Sequence, residues 1–190
     1  DNRYDLVRDD AVHLECGPNT IRSDVAGITF SNVIFVGSAR FLTLVGQAEL
    51  INPNLSLEGL RLGVLSNTTT EQFVQTTYPS AEPVTFSGPE GRSMAIQAVQ
   101  QGAIDAFVGD GILTYAALQL EGKPLEEFAL FPELPLTCEF YGLVLPDNDP
   151  QWRTLVNQYL VSDSENAVST AWFADLYPAT LNQADFCLNR

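Results

Sequence analysis

Basic residues are scarce in this 190-residue chain, which has nine Lys and Arg against 24 Asp and Glu and a formal net charge of -15. No block rich in Lys and Arg occurs, so a phosphate backbone would be repelled. The sequence therefore predicts no nucleic-acid partner. Because the acidic residues are spread along the chain, they indicate a soluble, self-repelling surface more than a cation-binding one.

Long hydrophobic runs are also missing. The most apolar stretch, ITFSNVIFVGSARFLTLVG, is interrupted by Ser31, Asn32, Gly37, Ser38 and Arg40. No run of 18 apolar residues remains, so we predict no direct membrane insertion. The first residues, DNRYDLVRDD, do not have the pattern of a signal peptide; if the protein is exported, its signal was removed or lies upstream of this chain.

Soft metal ligands are few. The chain contains His13 as its one histidine and three cysteines, Cys16, Cys138 and Cys187, with no CxxC pair. That is too few ligands for a zinc site, and we predict neither a metal nor a cofactor. Three cysteines allow one disulfide with one thiol left over, and their spacing alone does not select the pair.

Apolar residues make up 45% of the chain, enough for a packed core. Near the start we predict a short helix in NRYDLVR and a strand in AVHLEC. From residue 61 onward strands (RLGVL, EPVTF, IDAFVG) alternate with helices, the last two stopped by Gly102 and Gly122. This order predicts an α/β fold with a mainly parallel sheet covered on both faces.

The C-terminal region continues with a predicted strand in FYGLVLP and a helix in QWRTLVNQYLV. A second helical piece is expected around ENAVSTAWFADLY, with Trp172, Phe173 and Tyr177 on its packing face. In a sheet of the predicted kind, ligands bind at the carboxyl ends of the strands, where the following helices begin.

A run of three threonines follows the strand RLGVL at such a position. Thr68 with Glu71 fits a capping box, which satisfies the donors of the helix without a ligand. Thr69 and Thr70 add hydroxyls and free N–H groups at the positive end of the helix, where a carboxylate could bind.

Two further segments have polar residues at strand ends. Asp110 ends the strand IDAFVGD, where its carboxylate could hold an ammonium group or could simply cap the next helix. In ECGPNTIRSD, Asn19, Thr20 and Arg22 follow a Gly-Pro turn, and Arg22 could bind a carboxylate bidentately or face solvent. A hydroxyl-rich helix start, a carboxylate and an arginine together suit a zwitterion.

Five segments in order resemble the type 2 periplasmic solute-binding proteins of the polar amino acid kind. NRYDLVRDDAVHLECG is similar to the helix and strand of that family with an Asn-Arg start. ITFSNVIFVGSARFLTLV looks like its VDFSxPYFxSGxxLLV segment, and LSLEGLRLGVLSNTTTEQF like SLxDLxGKxVGVxxGTTxEEF. AIQAVQQGAIDAFVGD resembles ALxALxxGRVDAVVxD, and CEFYGLVLPDNDPQW resembles xEPYGIAVxKGDPxL.

The resemblance implies roles for individual residues. Thr68 and Thr69 match the threonines that bind the α-carboxylate of the ligand, although Asn67 replaces the usual glycine. Asp110 matches the aspartate that binds the α-amino group. In the first lobe, Asn19 falls at the Ser/Thr position of the family and Asp24 at its carboxylate-binding arginine, so Arg22 would have to substitute from two residues earlier.

The resemblance also implies a two-lobed periplasmic-binding-protein type 2 fold with a hinge formed by FLTLVG and YGLVLP. Residues 1-47 would be the later part of lobe 1 and the first hinge strand, residues 48-140 lobe 2, and residues 141-190 the second hinge strand and C-terminal helices returning to lobe 1. The first elements of the family have no counterpart here. Lobe 1 is therefore expected to be incomplete in this chain, its remainder truncated or supplied by a partner chain.

Relatives that pin their C-terminal tail to lobe 2 imply a Cys138–Cys187 disulfide, which agrees with an oxidising periplasmic or extracellular location. The function implied is capture of an amino acid by lobe closure and its delivery to an ABC transporter permease, without catalysis. Two alternatives stay open. One is a cyclohexadienyl dehydratase-like enzyme, for which Glu139 and His13 are the candidate acids or bases, and the other is a ligand-sensing receptor domain.

Overall fold

The computed structural model describes residues 2–162 and 184–189. The chain divides into two compact units: unit 1 is Asp1–Gly37 with Glu139–Arg190, and unit 2 is Ser38–Cys138. The sequence-based division placed residues 38–47 with lobe 1 and the first hinge strand, and residues 139–140 in lobe 2, whereas the structure groups residues 38–47 with unit 2 and residues 139–140 with unit 1. The second helical piece predicted around residues 165–177, with its aromatic packing face, lies outside the described residues.

The described elements follow one another in a regular order. The strands are β1 Ile28–Phe30, β2 Phe35–Gly37, β3 Ala39–Leu44, β4 Arg61–Leu65, β5 Glu82–Phe86, β6 Ala106–Asp110, β7 Phe128–Phe131, β8 Glu139–Tyr141 and β9 Val144–Pro146. The α-helices are α1 Arg3–Arg8, α2 Thr69–Thr77, α3 Gly91–Gln100, α4 Gly111–Leu120, α5 Pro150–Leu160 and α6 Ala184–Leu188. Short 3-10 helices occupy Val45–Leu50 and Leu125–Glu127.

Unit 2 is built on a five-stranded sheet in the order β5, β4, β6, β3, β7. Strand β4 pairs in parallel with β5 and β6, and β3 runs antiparallel to both β6 and β7. Strand β3 is thus the one strand of this sheet that runs against the other four. The predicted α/β architecture is confirmed, but the sheet is mixed, with two parallel and two antiparallel strand pairs.

Alternation along the strands of this sheet builds two cores, one on each face. On one face Phe41 and Val108 pack with Val74 of α2. On the other, Leu42 and Phe107 pack with side chains of α3 and α4. Full burial of each such side chain contributes about 1.5–3 kcal/mol, so helices are held on both faces of the sheet.

The helix ends in unit 2 agree with the sequence. Helices α3 and α4 are followed by Gly102 and Gly122, whose φ angles are 67° and 62°. Glycine adopts this left-handed conformation without the steric cost that a Cβ brings, which explains why both helices stop there.

Unit 1 contains two short antiparallel pairs, β1 with β9 and β2 with β8. Helix α1 packs on the first pair through Val7, which is fully buried against Ile28 and Val144. The described core of unit 1 is therefore smaller than either core of unit 2.

Three local predictions differ from the structure. AVHLEC is not a strand: the N–H groups of Ala11 and Val12 bond the carbonyl of Leu6 at the end of α1, and only Glu15 forms a bridge, to Val144. FYGLVLP is split into β8 and β9 because the chain changes partner, from β2 to β1. FLTLVG, expected in the hinge, begins inside β3, where both neighbouring strands bond it.

Candidate functional site

Three helices of unit 2 begin at one edge of its sheet. Strands β5, β4 and β6 are parallel neighbours, and each leads into the next helix, so α3, α2 and α4 all start at the carboxyl edge. The N–H of Ser66, just after β4, bonds the carbonyl of Phe86 at the end of β5, 2.8 Å away. The unpaired N–H groups of a first helical turn give such an edge a positive electrostatic potential.

The threonine run lies at this edge, and Thr68 caps α2. Its Oγ1 accepts from the N–H of Glu71 at 3.1 Å and donates to the carbonyl of Leu65 at 2.7 Å. The carboxylate of Glu71 accepts from the N–H of Asn67 at 2.7 Å, one residue earlier than in the usual capping box. The predicted cap is confirmed, and the hydroxyl of Thr68 is used by the helix itself.

Asn67 explains the departure from the Gly-Thr-Thr pattern. Its φ angle is 60°, in the left-handed region where asparagine is the most tolerated residue after glycine. The turn that presents the threonines is therefore kept without the glycine.

Substitution of Thr68 and of Thr69 should affect stability differently. Thr68→Ala removes the cap of α2 and should lower the free energy of unfolding by about 1 kcal/mol. Thr69→Ala removes no cap, so it should leave the free energy of unfolding within about 0.5 kcal/mol of the wild-type value. Denaturant unfolding of both variants measures the difference. Equal losses of stability in both variants would contradict this division.

Asp110 lies at the same edge as Thr69, because it ends β6, the parallel neighbour of β4. Its side chain accepts from the N–H of Leu113 at 3.0 Å as the N-cap of α4, and it is only 7% exposed. Capping and ligand binding are compatible, because an ionised carboxylate has about four acceptor positions. The structure thus brings Thr68, Thr69 and Asp110 to one sheet edge.

Two arginines near Asp110 were missed by the sequence analysis. Arg92, in the first turn of α3, donates to Oγ1 of Thr114 at 3.2 Å, and that hydroxyl donates to the carbonyl of Asp110 at 2.7 Å. Arg40 of β3 is 1% exposed. Arg40 could have been found from the sequence because it is a charged residue inside the apolar strand ARFLTL. Arg92 could have been found because it lies at the start of a third helix that follows a strand.

In unit 1, Asn19 and Thr20 lie beside glutamates. Asn19 is fully buried; its Nδ2 donates to the carboxylate of Glu15 and, at 2.9 Å, to the carbonyl of Gly17. Thr20 Oγ1 donates to Glu139 Oε2 at 2.9 Å. Each of these two predicted site residues is therefore paired with a carboxylate, and the sequence analysis did not predict the role of Glu15.

Arg22 does not join this network through any described hydrogen bond. Its Nε donates to Asp24 Oδ1 at 2.5 Å, and a second guanidinium nitrogen donates to Oδ2 of the same carboxylate. The hydrogen bond from Arg22 lowers the pKa of Asp24 and keeps it ionised. The aspartate at the family's arginine position thus neutralises the nearby arginine, which limits its use as a carboxylate clamp.

The remaining candidates have structural partners. His13 is exposed, and its carbonyl accepts from the indole N–H of Trp152 at 2.9 Å. Within residues 2–162 and 184–189, no group of His, Cys, Asp and Glu side chains could hold a metal ion. No helix in the described part of the chain is long and apolar enough to cross a membrane.

The cysteines are paired as the resemblance implied. Cys138 and Cys187 are disulfide-bonded, and Cys16 is free and exposed. Cys187 is buried, on α6.

Comparisons with known proteins agree with this fold. No model of a protein family matches the sequence. The glutamate/aspartate import solute-binding protein of Salmonella typhimurium is 24% identical over 174 residues, which cover 90% of this chain and 56% of that protein. This chain therefore spans little more than half the length of that relative.

Solved structures show the same architecture. A binding component of an ABC transporter from Wolinella succinogenes, complexed with lysine, aligns with a TM-score of 0.79 at 18% identity over 92% of this chain and 75% of that one. An ancestral amino-acid-binding protein described as a precursor of cyclohexadienyl dehydratase aligns at 0.77, with 20% identity over 94% and 74%. These alignments show that this chain has the fold of the aligned amino-acid-binding proteins.

Proposed function

We propose that this chain captures an amino acid or a similar zwitterion outside the cytoplasm and delivers it to an ABC transporter permease. The observation that carries the proposal is the juxtaposition of Thr69 and Asp110 at the edge where α2 and α4 begin. First-turn N–H groups and a hydroxyl suit a carboxylate, and a buried carboxylate suits an ammonium group.

Capture would follow the closure of two rigid lobes about a hinge, the usual mechanism for this kind of protein. An exported location is supported by the Cys138–Cys187 disulfide, since disulfides persist mainly in oxidising compartments. The relatives named above bind amino acids of opposite side-chain charge, glutamate or aspartate in one case and lysine in another. The fold alone therefore does not select the side chain of the ligand.

Unit 1 favours a ligand that departs from the standard α-carboxylate clamp. Arg22 is engaged with Asp24, while Asn19 donates to the carboxylate of Glu15 and Thr20 to that of Glu139. These groups accept hydrogen bonds, so they suit a donor such as an ammonium group. On this view the α-carboxylate depends chiefly on the helix starts of unit 2.

A thermal-shift screen of the purified mature protein against the twenty amino acids tests the proposal. A ligand at 100 times its dissociation constant stabilises the folded state by about 2.7 kcal/mol, which corresponds to a rise of roughly 5–10 °C in melting temperature. We expect such a shift with one or a few amino acids. No shift with any of them, together with turnover of prephenate or arogenate, would replace the proposal by the dehydratase alternative.

A further inference from the structure

Arg40 is a buried cation whose guanidinium bonds backbone carbonyls. It donates to the carbonyl of Pro132 and, at 2.8 Å, to that of Glu133. Burial lowers the pKa of Arg40, while the charges of Glu133 and Asp110 act in the opposite direction. Burying a guanidinium is costly unless its charge and donors are matched, so these partners are what make the position tolerable.

The side chain of Arg40 lies against the turn that presents Asp110. Strand pairing places Ala39 opposite Asp110, and the N–H of Gly111 bonds the carbonyl of Ser38 at 2.8 Å. A Cβ at Gly111 would lie 2.7 Å from Cδ of Arg40 and 3.3 Å from its Nε. The start of α4 therefore lies in close contact with Ser38 and Arg40. Glycine is needed at position 111 because a Cβ there would overlap the side chain of Arg40.

The same arginine fixes the chain that follows β7. Arg40 bonds residues 132 and 133, and its neighbour Ala39 bonds the residues that follow. The N–H of Leu136 donates to the carbonyl of Ala39 at 3.2 Å, and Thr137 Oγ1 accepts from the N–H of Ala39 at 2.9 Å. Residues 132–137 and the 110–111 turn are thus both anchored to residues 38–40, at the start of β3. Arg40 is the charged member of this anchor.

We infer that Arg40 is a positioning residue for the candidate ligand site: it anchors the Asp110–Gly111 turn to residues 132–133 and supplies the counter-charge beside the Asp110 carboxylate. The effect of Arg40 on binding rests on the proposed function, whereas its role in holding the turn does not. Arg40 from β3 interacts with the charges of both Asp110 and Glu133, and Arg92 from α3 is linked through Thr114 to the backbone carbonyl of Asp110. A carboxylate fixed in this way can meet an ammonium group with little loss of side-chain freedom.

Hydrogen–deuterium exchange tests the anchor without a ligand. In Arg40→Met, we expect the amides of residues 110–114 and 132–138 to exchange about tenfold faster, while those of α2 stay unchanged. Arg40→Lys keeps the charge and should restore part of the protection. Unchanged exchange in both segments of Arg40→Met would overturn the inference.

Arg61→Met is the matched control. Arg61 also donates to two backbone carbonyls, those of Gly102 and Ala103, and it pairs with Asp105, but it begins β4 at the opposite edge of the sheet. Its loss should leave residues 110–114 protected. If Arg61→Met exposed that segment as much as Arg40→Met, Arg40 would have no specific positioning role.

Binding supplies the second readout, with L-glutamate and L-lysine as probes. Arg40→Met should weaken binding of the probe that the wild type accepts about tenfold, and by less than about twofold in an Asp110→Asn background, since the effect passes through Asp110. Equal losses in both backgrounds would overturn the inference. If the wild type binds neither probe, the exchange result still decides the anchor, and the failure belongs to the proposed function.

Should Arg40→Met fail to fold, Gly111→Ala replaces it. The added methyl meets Cδ of Arg40 while the guanidinium charge remains. We expect faster exchange at residues 110–114 in this variant, and protection equal to that of the wild type would count against the close packing on which the inference depends.

Discussion

Asp110→Ala is expected to weaken amino-acid binding about 100-fold or more, because truncating one partner of a buried charge pair costs about 2–5 kcal/mol. The carboxylate is 7% exposed and lies at the start of α4, on the edge shared with Thr69. Calorimetric titration with an amino acid that raises the melting temperature of the wild type measures the effect. Unchanged affinity would reject the assignment of this residue to the ammonium group.

The loss of a helix cap has to be separated from the loss of a ligand contact. Asp110 caps α4 through Leu113, and Asp149 caps α5 in the same way, accepting from the N–H of Trp152 at 2.8 Å. Asp149→Ala should therefore reproduce the cost of losing the cap, about 1 kcal/mol, and leave binding unchanged. A loss of affinity in Asp149→Ala as large as in Asp110→Ala would show that both variants act through unfolding.

Asp110→Asn refines the comparison. The amide oxygen can still accept from Leu113, so the cap of α4 should largely survive, but the negative charge is gone. We expect the affinity to fall almost as far as in Asp110→Ala, while the loss of stability is smaller than in Asp110→Ala because the cap of α4 is kept. This pattern would assign the effect to charge, since hydrogen bonds to charged groups contribute about 1.5–3 kcal/mol.

Local patterns in the sequence predicted most of unit 2. The cap of α2 at Thr68 and the stops at Gly102 and Gly122 depend on neighbouring residues and on backbone sterics, which are readable from sequence. Two of the parallel strands of unit 2, β4 and β6, have apolar runs of the length that buried strands need. For these elements, secondary-structure propensity, helix capping and hydrophobic pattern all favour the same structure. Such agreement is what makes a structure predictable from its sequence.

The rest of the candidate site depends on pairings between distant segments. Arg40 meets residues 132–133 only because β3 lies between β6 and β7 in the sheet, an order that no local pattern contains. The sequence identifies Arg22 as a cation, but it does not show which anion its guanidinium binds. In the structure the guanidinium pairs with Asp24, two residues away. The strand predicted in AVHLEC failed because its first N–H groups are used at the end of α1.

The second large effect is expected from the disulfide. Replacing Cys138 and Cys187 together by alanine should lower the free energy of unfolding by about 4 kcal/mol, since the bridge closes a loop of roughly 50 residues in the unfolded chain. Cys16→Ser is the matched control, because that thiol is free and exposed, and it should leave stability unchanged. Denaturant unfolding of the three proteins measures the difference.

Thiol counts on the denatured protein check the pairing on which this prediction depends. One thiol, that of Cys16, should react before reduction, and all three cysteines should react after it. Three reactive thiols in protein isolated from an oxidising compartment would contradict the bridge. Reduction of the wild type should lower the free energy of unfolding by the same amount as the double substitution. A loss of about 4 kcal/mol is a large fraction of the 5–15 kcal/mol that stabilises most domains. The folded population would then depend on the redox state of the compartment.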